Sequence, residues 1–255
     1  MDNMILQVDA WEAALVYCLA MLAFWYLGQW SGRRFPPDAG QDPGMKFTEA
    51  SLAILGLLLA FTFAMSLGRH DHRRLMVVDE SNAIGDFYTC ASLIKEPHRS
   101  ALQTVIREYT QNELGALSHF LPKAEQQKVT ERSQEMHGRM TDIVAQAVAE
   151  GTPIAVNLTN TLNGVTSANA SRLAAYEETL PWTIQSLLLL AAIVPSFLTG
   201  KLQGASQKTR LSGTLSFIIL VTLVIFIILD LNQGRRGLIQ VNREPFERLI
   251  HAIAK

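Results

Sequence analysis

Cysteine is nearly missing from this chain of 255 residues, which holds only Cys18 and Cys90. Neither a disulfide framework nor a paired metal spacing can be built from them, and both read as small packing residues. Charge is also thin at 18% of residues, and a net charge of −1 says nothing about partners because the basic residues are clustered locally; no nucleic-acid partner is expected. The apolar and polar alternation that marks strands is nowhere to be found. No phosphate loop, nucleophile elbow or catalytic carboxylate pair occurs, so no nucleophile with a base can be named and the chain does not read as an enzyme. His70 and His72 stand two apart, which on a helix sends them to different faces, and no third ligand accompanies them. Neither a metal nor a cofactor is expected.

What the chain does have is apolar sequence in long runs. Hydrophobic residues make up 49% of it, and runs of about 18 or more with almost no charge are candidates to span a bilayer as helices. Four such runs cover about 10–30, 51–68, 180–200 and 211–229. In the first, acidic Asp2 and Asp9 stand where a cleaved leader would be basic and no small-x-small site follows, so a retained anchor is expected. Trp11, Trp25, Tyr26, Trp30 and Trp182 lie near run ends, where amphipathic rings favour the headgroup region.

The polar stretch 69–179 is far longer than a structureless connection in a compact chain, so it needs structure of its own. Pro97, Pro122 and Gly151-Thr152-Pro153 divide it into four helices. The first continues from the membrane and carries Leu75, Val78, Ile84, Phe87, Ala91 and Ile94 at helical spacing. The second presents Leu102, Val105, Ile106, Tyr109, Leu117 and Phe120, and its Arg107, Glu108 and Glu113 are expected to face outward. The third has Val129, Met136, Met140, Ile143 and Ala147 on one stripe, and the fourth has Leu158, Leu162, Val165, Arg172 and Tyr176. The expected fold is an all-α integral membrane protein. Two pairs of transmembrane helices, within 1–68 and 180–230, flank a helical extramembrane domain at 69–179, and a C-terminal tail follows at 231–255.

The run 51–68 has two distinct stripes. Gly56, Ala60, Ala64 and Gly68 recur every fourth residue and would let another helix pack closely. Beside them Leu55, Leu59, Thr62 and Ser66 lead to Arg69 and Arg73, grading from apolar through hydroxyl to cationic as a pore lining would. Arg69, Arg73 and Arg74 would form a basic vestibule that concentrates anions, provided several copies surround an axis. Arginines at a span end serve equally well as snorkelling anchors. Asp79, Glu80, Asn82 and Asp86 are placed to pair with Arg73 and Arg74 at helical spacing. Basic residues near the span ends divide into Arg33, Arg34, Lys46, Lys201, Lys208 and Arg210 on one side. Arg69, Arg73, Arg74, Arg172, Arg235, Arg236, Arg243 and Arg248 fall on the other, and this count leaves orientation open.

Three blocks together resemble the bacterial bestrophin-like membrane family, whose members look like distant relatives of bestrophin anion channels. They are Gly56-Leu57-Leu58-Leu59-Ala60-Phe61-Thr62-Phe63, then Arg69-x-Asp71-x-Arg73-Arg74, then Val77-Val78-x-Glu80-x-Asn82-Ala83-Ile84. Pro181-Trp182 and Asp230 followed by Gly234 and Gly237 add support. The aromatic pair that true bestrophins carry after the arginine is replaced here by His70 and Asp71-His72. Their acidic calcium clasp has no counterpart, because Asp230 leads to Asn232, Gln233, Gly234, Arg235 and Arg236. The resemblance implies a homopentamer in a bacterial inner membrane, with a central pore lined by the second span and with the helical domain and both termini in the cytoplasm. The expected activity is passage of inorganic anions such as chloride, and the expected partners are the lipid bilayer and further copies of the chain. The alternative is a non-conducting membrane sensor or scaffold whose helical domain binds a cytoplasmic partner.

Overall fold

A computed structural model describes residues 9–35, 43–117, 123–207, 210–234 and 237–254. Pro122, Phe120, Lys208, Arg235 and Arg236 lie outside the described residues. Eight helices account for most of what is described, and no strand occurs among these residues. They are α1 (Ala10–Arg34), α2 (Pro43–Ala91), α3 (His98–Ala116) and α4 (Lys123–Ala149), followed by α5 (Ala155–Glu177), α6 (Trp182–Ala205), α7 (Leu211–Asn232) and α8 (Glu244–Ile253). Four stretches are long and apolar enough to cross a membrane, and they lie in α1, α2, α6 and α7. The chain is thus an all-α integral membrane protein.

The helices fall into two compact units. The first comprises Met1–Arg69, Thr179–Gln233 and Gly237–Ile239. α1 begins where the Asp9 N–H donates to Glu12 Oε2 at 3.2 Å, which satisfies one of the amides that a helix start leaves without a partner. Its inward face, with Ala10, Tyr17 and Met21, packs with Leu55 of α2, Leu188 and Ala192 of α6, and Ile218, Val221 and Ile225 of α7.

The closest helix approach in this unit is between α1 and α6. A Cβ added to Gly28 or Gly32 would collide with the carbonyl oxygens of Phe197 or Lys201, and one added to Gly200 or Gly204 with those of Trp25 or Gln29. Two Gly-x-x-x-Gly pairs therefore interlock, each glycine leaving room for the backbone opposite. Trp25, expected at the headgroups, is instead buried beside this seam, and its Nε1–H donates to Gln203 Oε1 at 3.2 Å. Trp11, Tyr26, Trp30 and Trp182 are exposed.

The second unit comprises His70–Glu178, Gly234–Arg236 and Gln240–Lys255. Its core joins Val77, Ile84 and Phe87 of α2 to Leu102, Ile106 and Tyr109 of α3, Met136 and Met140 of α4, and Leu158 and Val165 of α5. Outside lipid, burying side chains of this size contributes about 1.5–3 kcal/mol each. Leu75, expected on that stripe, is exposed, and Val77 takes its place. Residues 240–254 add a helix to this unit. Phe246 of α8 is fully buried, and the last turn is held where Tyr88 Oη–H and Arg107 Nε–H both donate to Ile253 O, at 3.2 and 2.7 Å.

Candidate functional site

At about 100° per residue, α2 presents one face inward through the whole of its span. Leu55, Thr62 and Ser66 are buried within the first unit, at 2%, 4% and 0% exposure, and Leu59 is half-buried. Thr62 Oγ1–H donates back to Leu58 O at 2.7 Å. Ser66 Oγ and one terminal nitrogen of Arg69 are buried with no hydrogen-bond partner among the described residues. The stripe expected to line a pore is therefore covered by the chain's own helices. The opposite face carries Ala53, Leu57, Ala60, Phe61, Ala64 and Gly68, all exposed, and no described atom lies within 4 Å of a Cβ added at Gly56 or Gly68. The small-residue stripe is turned away from the unit's own core, and the close packing inside it belongs to the other glycines.

The three arginines part company: Arg69 ends the first unit's share of α2, and Arg73 and Arg74 lie in the second unit. Arg73 is fully buried, its Nε–H donating to Ala175 O at 3.0 Å and its Nη2–H to Glu178 O at 2.6 Å. It thereby serves the carbonyls that the end of α5 leaves without intrahelical partners. Gly234 lies against it, since a Cβ there would come within 3.0 Å of Arg73 Nε. Arg73 is thus not open to solvent as a vestibule residue would be, whereas Arg74 is exposed. Asp71, Asp79, Asn82 and Asp86 are exposed on the same helix.

Glu80 is not a partner of Arg73 or Arg74. It is fully buried, and together with Glu113 of α3 it holds Arg172 of α5: Arg172 Nε–H donates to Glu80 Oε2 and Nη2–H to Glu113 Oε2. Glu113 is 2% exposed, which corrects the outward placement read from helical spacing. The remaining acceptors are also used. Tyr109 Oη–H and Asn169 Nδ2–H donate to Glu80 Oε1 at 3.1 and 2.8 Å, and Ser133 Oγ–H donates to Glu113 Oε1.

Burial raises the Glu113 pKa above the ordinary carboxylate value; the Arg172 guanidinium opposes the rise and the Glu80 carboxylate adds to it. Burial also disfavours the Arg172 charge, but Glu80 and Glu113 outweigh it and its pKa lies above the usual value. Among the described residues no cluster of ligand side chains could hold a metal ion.

The final span ends on a turn built around Asp230. Its Oδ1 and Oδ2 accept the N–H groups of Leu238 and Ile239 at 2.8 and 2.9 Å. A Cβ at Gly237 would come within 2.6 Å of Asp230 O, so only glycine fits. The spacing from Asp230 to Gly234 and Gly237 thus has a structural cause. A family model for the bestrophin-like domain matches residues 14–246. The chain belongs to the bestrophin-like family. The match takes in α1 from residue 14 onward, the three later spans and most of the second unit of this bestrophin-like protein. No curated protein and no solved structure matches it.

Proposed function

We propose that this bestrophin-like chain assembles as a homo-oligomer, a pentamer by family resemblance, whose central pore passes inorganic anions such as chloride. The observation that carries this reading is the outward face of α2. The outward faces of α1 and α7 present large aliphatic side chains such as Leu15, Val16, Ile219, Leu220 and Leu223. That of α2 exposes Ile54, Met65 and Leu67 as well, and it places Gly56, Ala60, Ala64 and Gly68 around Leu57 and Phe61. Small residues suit the close approach of a neighbouring helix better than contact with lipid tails.

On this reading Leu57 and Phe61 form the apolar constriction. Leu55, Thr62 and Ser66 support it from behind, and Leu59 sits at its margin. Arg69 and Arg74 supply positive charge after the span, and Arg73 fixes the helix that bears them. A bacterial inner membrane, with the second unit and both termini in the cytoplasm, completes the proposal, and no enzymatic step belongs to it.

One observation favours a cation-conducting version of the same pore. The exposed carboxylates Asp71, Asp79 and Asp86 outnumber the one arginine among Arg69, Arg73 and Arg74 that is exposed, Arg74. Reversal potentials across liposomes with a potassium chloride gradient separate the two signs. Chloride preference that is lost in Arg69→Glu supports the anion reading, sodium or potassium preference supports the other, and no flux of any ion rejects both.

A further inference from the structure

The second unit contains a surface-open pocket of about 70 Å³ against the buried Arg172, Glu113 and Ser133, with His137, Asn169 and the exposed Thr130 among its other walls. That is above the roughly 10–15 Å³ that one water needs. Three features define what it accepts. First, with Glu113 ionised, Glu80, Glu113 and Arg172 carry two negative charges against one positive, and all three are at most 2% exposed. Buried charge that is not balanced is costly, so in that state the cluster has an affinity for one further positive charge, a proton on Glu113 or a bound cation. Second, Arg172 gives Nε–H to Glu80 and Nη2–H to Glu113, so its charge already faces two carboxyl groups and does not favour a further anion. Third, His137 Nδ1 lies 3.1 Å from Ser133 O. A carbonyl only accepts, so Nδ1 carries the proton and Nε2 of the neutral ring is an acceptor. That Nε2 is buried and has no partner among the described residues.

We propose that this cavity is a binding site for a small monocation rich in N–H donors, an ammonium ion or a primary alkylammonium. The cation would donate to Glu113, to His137 Nε2 and to Thr130 Oγ1, whose own proton is given to Gln126 O at 3.0 Å. It would bring the charge of the cluster to zero. The site ties together α2 through Glu80, α3 through Glu113 and Tyr109, α4 through Ser133 and His137, and α5 through Arg172 and Asn169. Occupancy therefore stiffens the whole second unit, whether or not the protein conducts ions. A proton on Glu113 neutralises the same cluster and competes with the cation, so binding weakens as the solution is made more acidic.

The test uses the full chain purified in detergent, titrated with methylammonium chloride. Tetramethylammonium chloride at the same concentration is the control, with equal charge and chloride but no N–H donor. The expected result is a saturable rise in the unfolding temperature and a saturable calorimetric heat with methylammonium only, both weakening at acid pH. Glu113→Gln and His137→Phe should each weaken the apparent affinity at least tenfold. Equal responses to both salts, no response to either, or a methylammonium response that both variants retain would overturn the proposal. Calorimetry on the unsubstituted chain decides even where a variant does not fold.

Discussion

Arg172 shows how much can depend on one side chain whose partners lie far away in sequence. Removing one member of a buried ion pair leaves an uncompensated charge at a cost of about 3–5 kcal/mol. Arg172→Met should therefore destabilise the second unit by about that amount, read as a lower unfolding temperature in detergent. Exposed Arg139, which pairs with Glu108 at 2.9 Å on the surface, should lose less than about 1 kcal/mol on substitution by alanine.

The same cluster sets a pH dependence. Because the Glu113 pKa is raised in the folded state, its contribution is fully present below the ordinary carboxylate range and is lost as pH rises through the raised value. Burial lowers the His137 pKa, so its contribution is present above the ordinary imidazole value and is lost as pH falls through the lowered one. Unfolding temperature measured against pH should show both slopes. Glu113→Gln should remove the loss of stability that comes with rising pH and His137→Gln the loss that comes with falling pH.

At the scale of elements, two sets of glycines with the same four-residue spacing have different roles. Gly28, Gly32, Gly200 and Gly204 admit a backbone carbonyl where a side chain would begin. Gly28→Ala forces α1 and α6 apart and should cost about 1–3 kcal/mol by overpacking, seen as reduced thermal stability. Gly56→Ala meets no described atom of its own chain and should change that stability by less than about 0.5 kcal/mol. If the outward face of α2 contacts a neighbouring copy, the same substitution should shift the oligomer distribution measured by light scattering. Sequence periodicity picks out Gly56, Ala60, Ala64 and Gly68, but not Gly28 and Gly32, whose role depends on a complementary glycine pair more than 170 positions away. Helix extents were more legible. Pro97 and Gly151-Thr152-Pro153 mark breaks because proline and glycine act locally, and α3, α4 and α5 lie between such marks.

At the scale of the whole molecule, the prediction concerns the conducting path. If Leu57 and Phe61 face the axis, Phe61→Ala should raise ion flux in liposomes severalfold, and Phe61→Trp should reduce it without lowering the unfolding temperature. Substituting Thr62, which is buried and bonded within its own helix, should instead lower stability before it alters selectivity.

Composition and local order in the sequence suffice for an all-α membrane protein with four spans, a helical polar region between them and a bestrophin-like block around Arg69. Each of these is a property of neighbouring residues: apolar run length, helical period and breaking residues. Facing was decided only in three dimensions. About half a helical turn of phase separates the buried Leu55, Thr62 and Ser66 from the exposed Leu57 and Phe61, and both faces of a membrane helix are apolar, so periodicity alone cannot tell inside from outside. The pairing of Arg172 with carboxylates 92 and 59 positions away was equally hidden. Helical spacing puts Arg172 on the apolar stripe, but the opposite charges that let it be buried are supplied only by the fold.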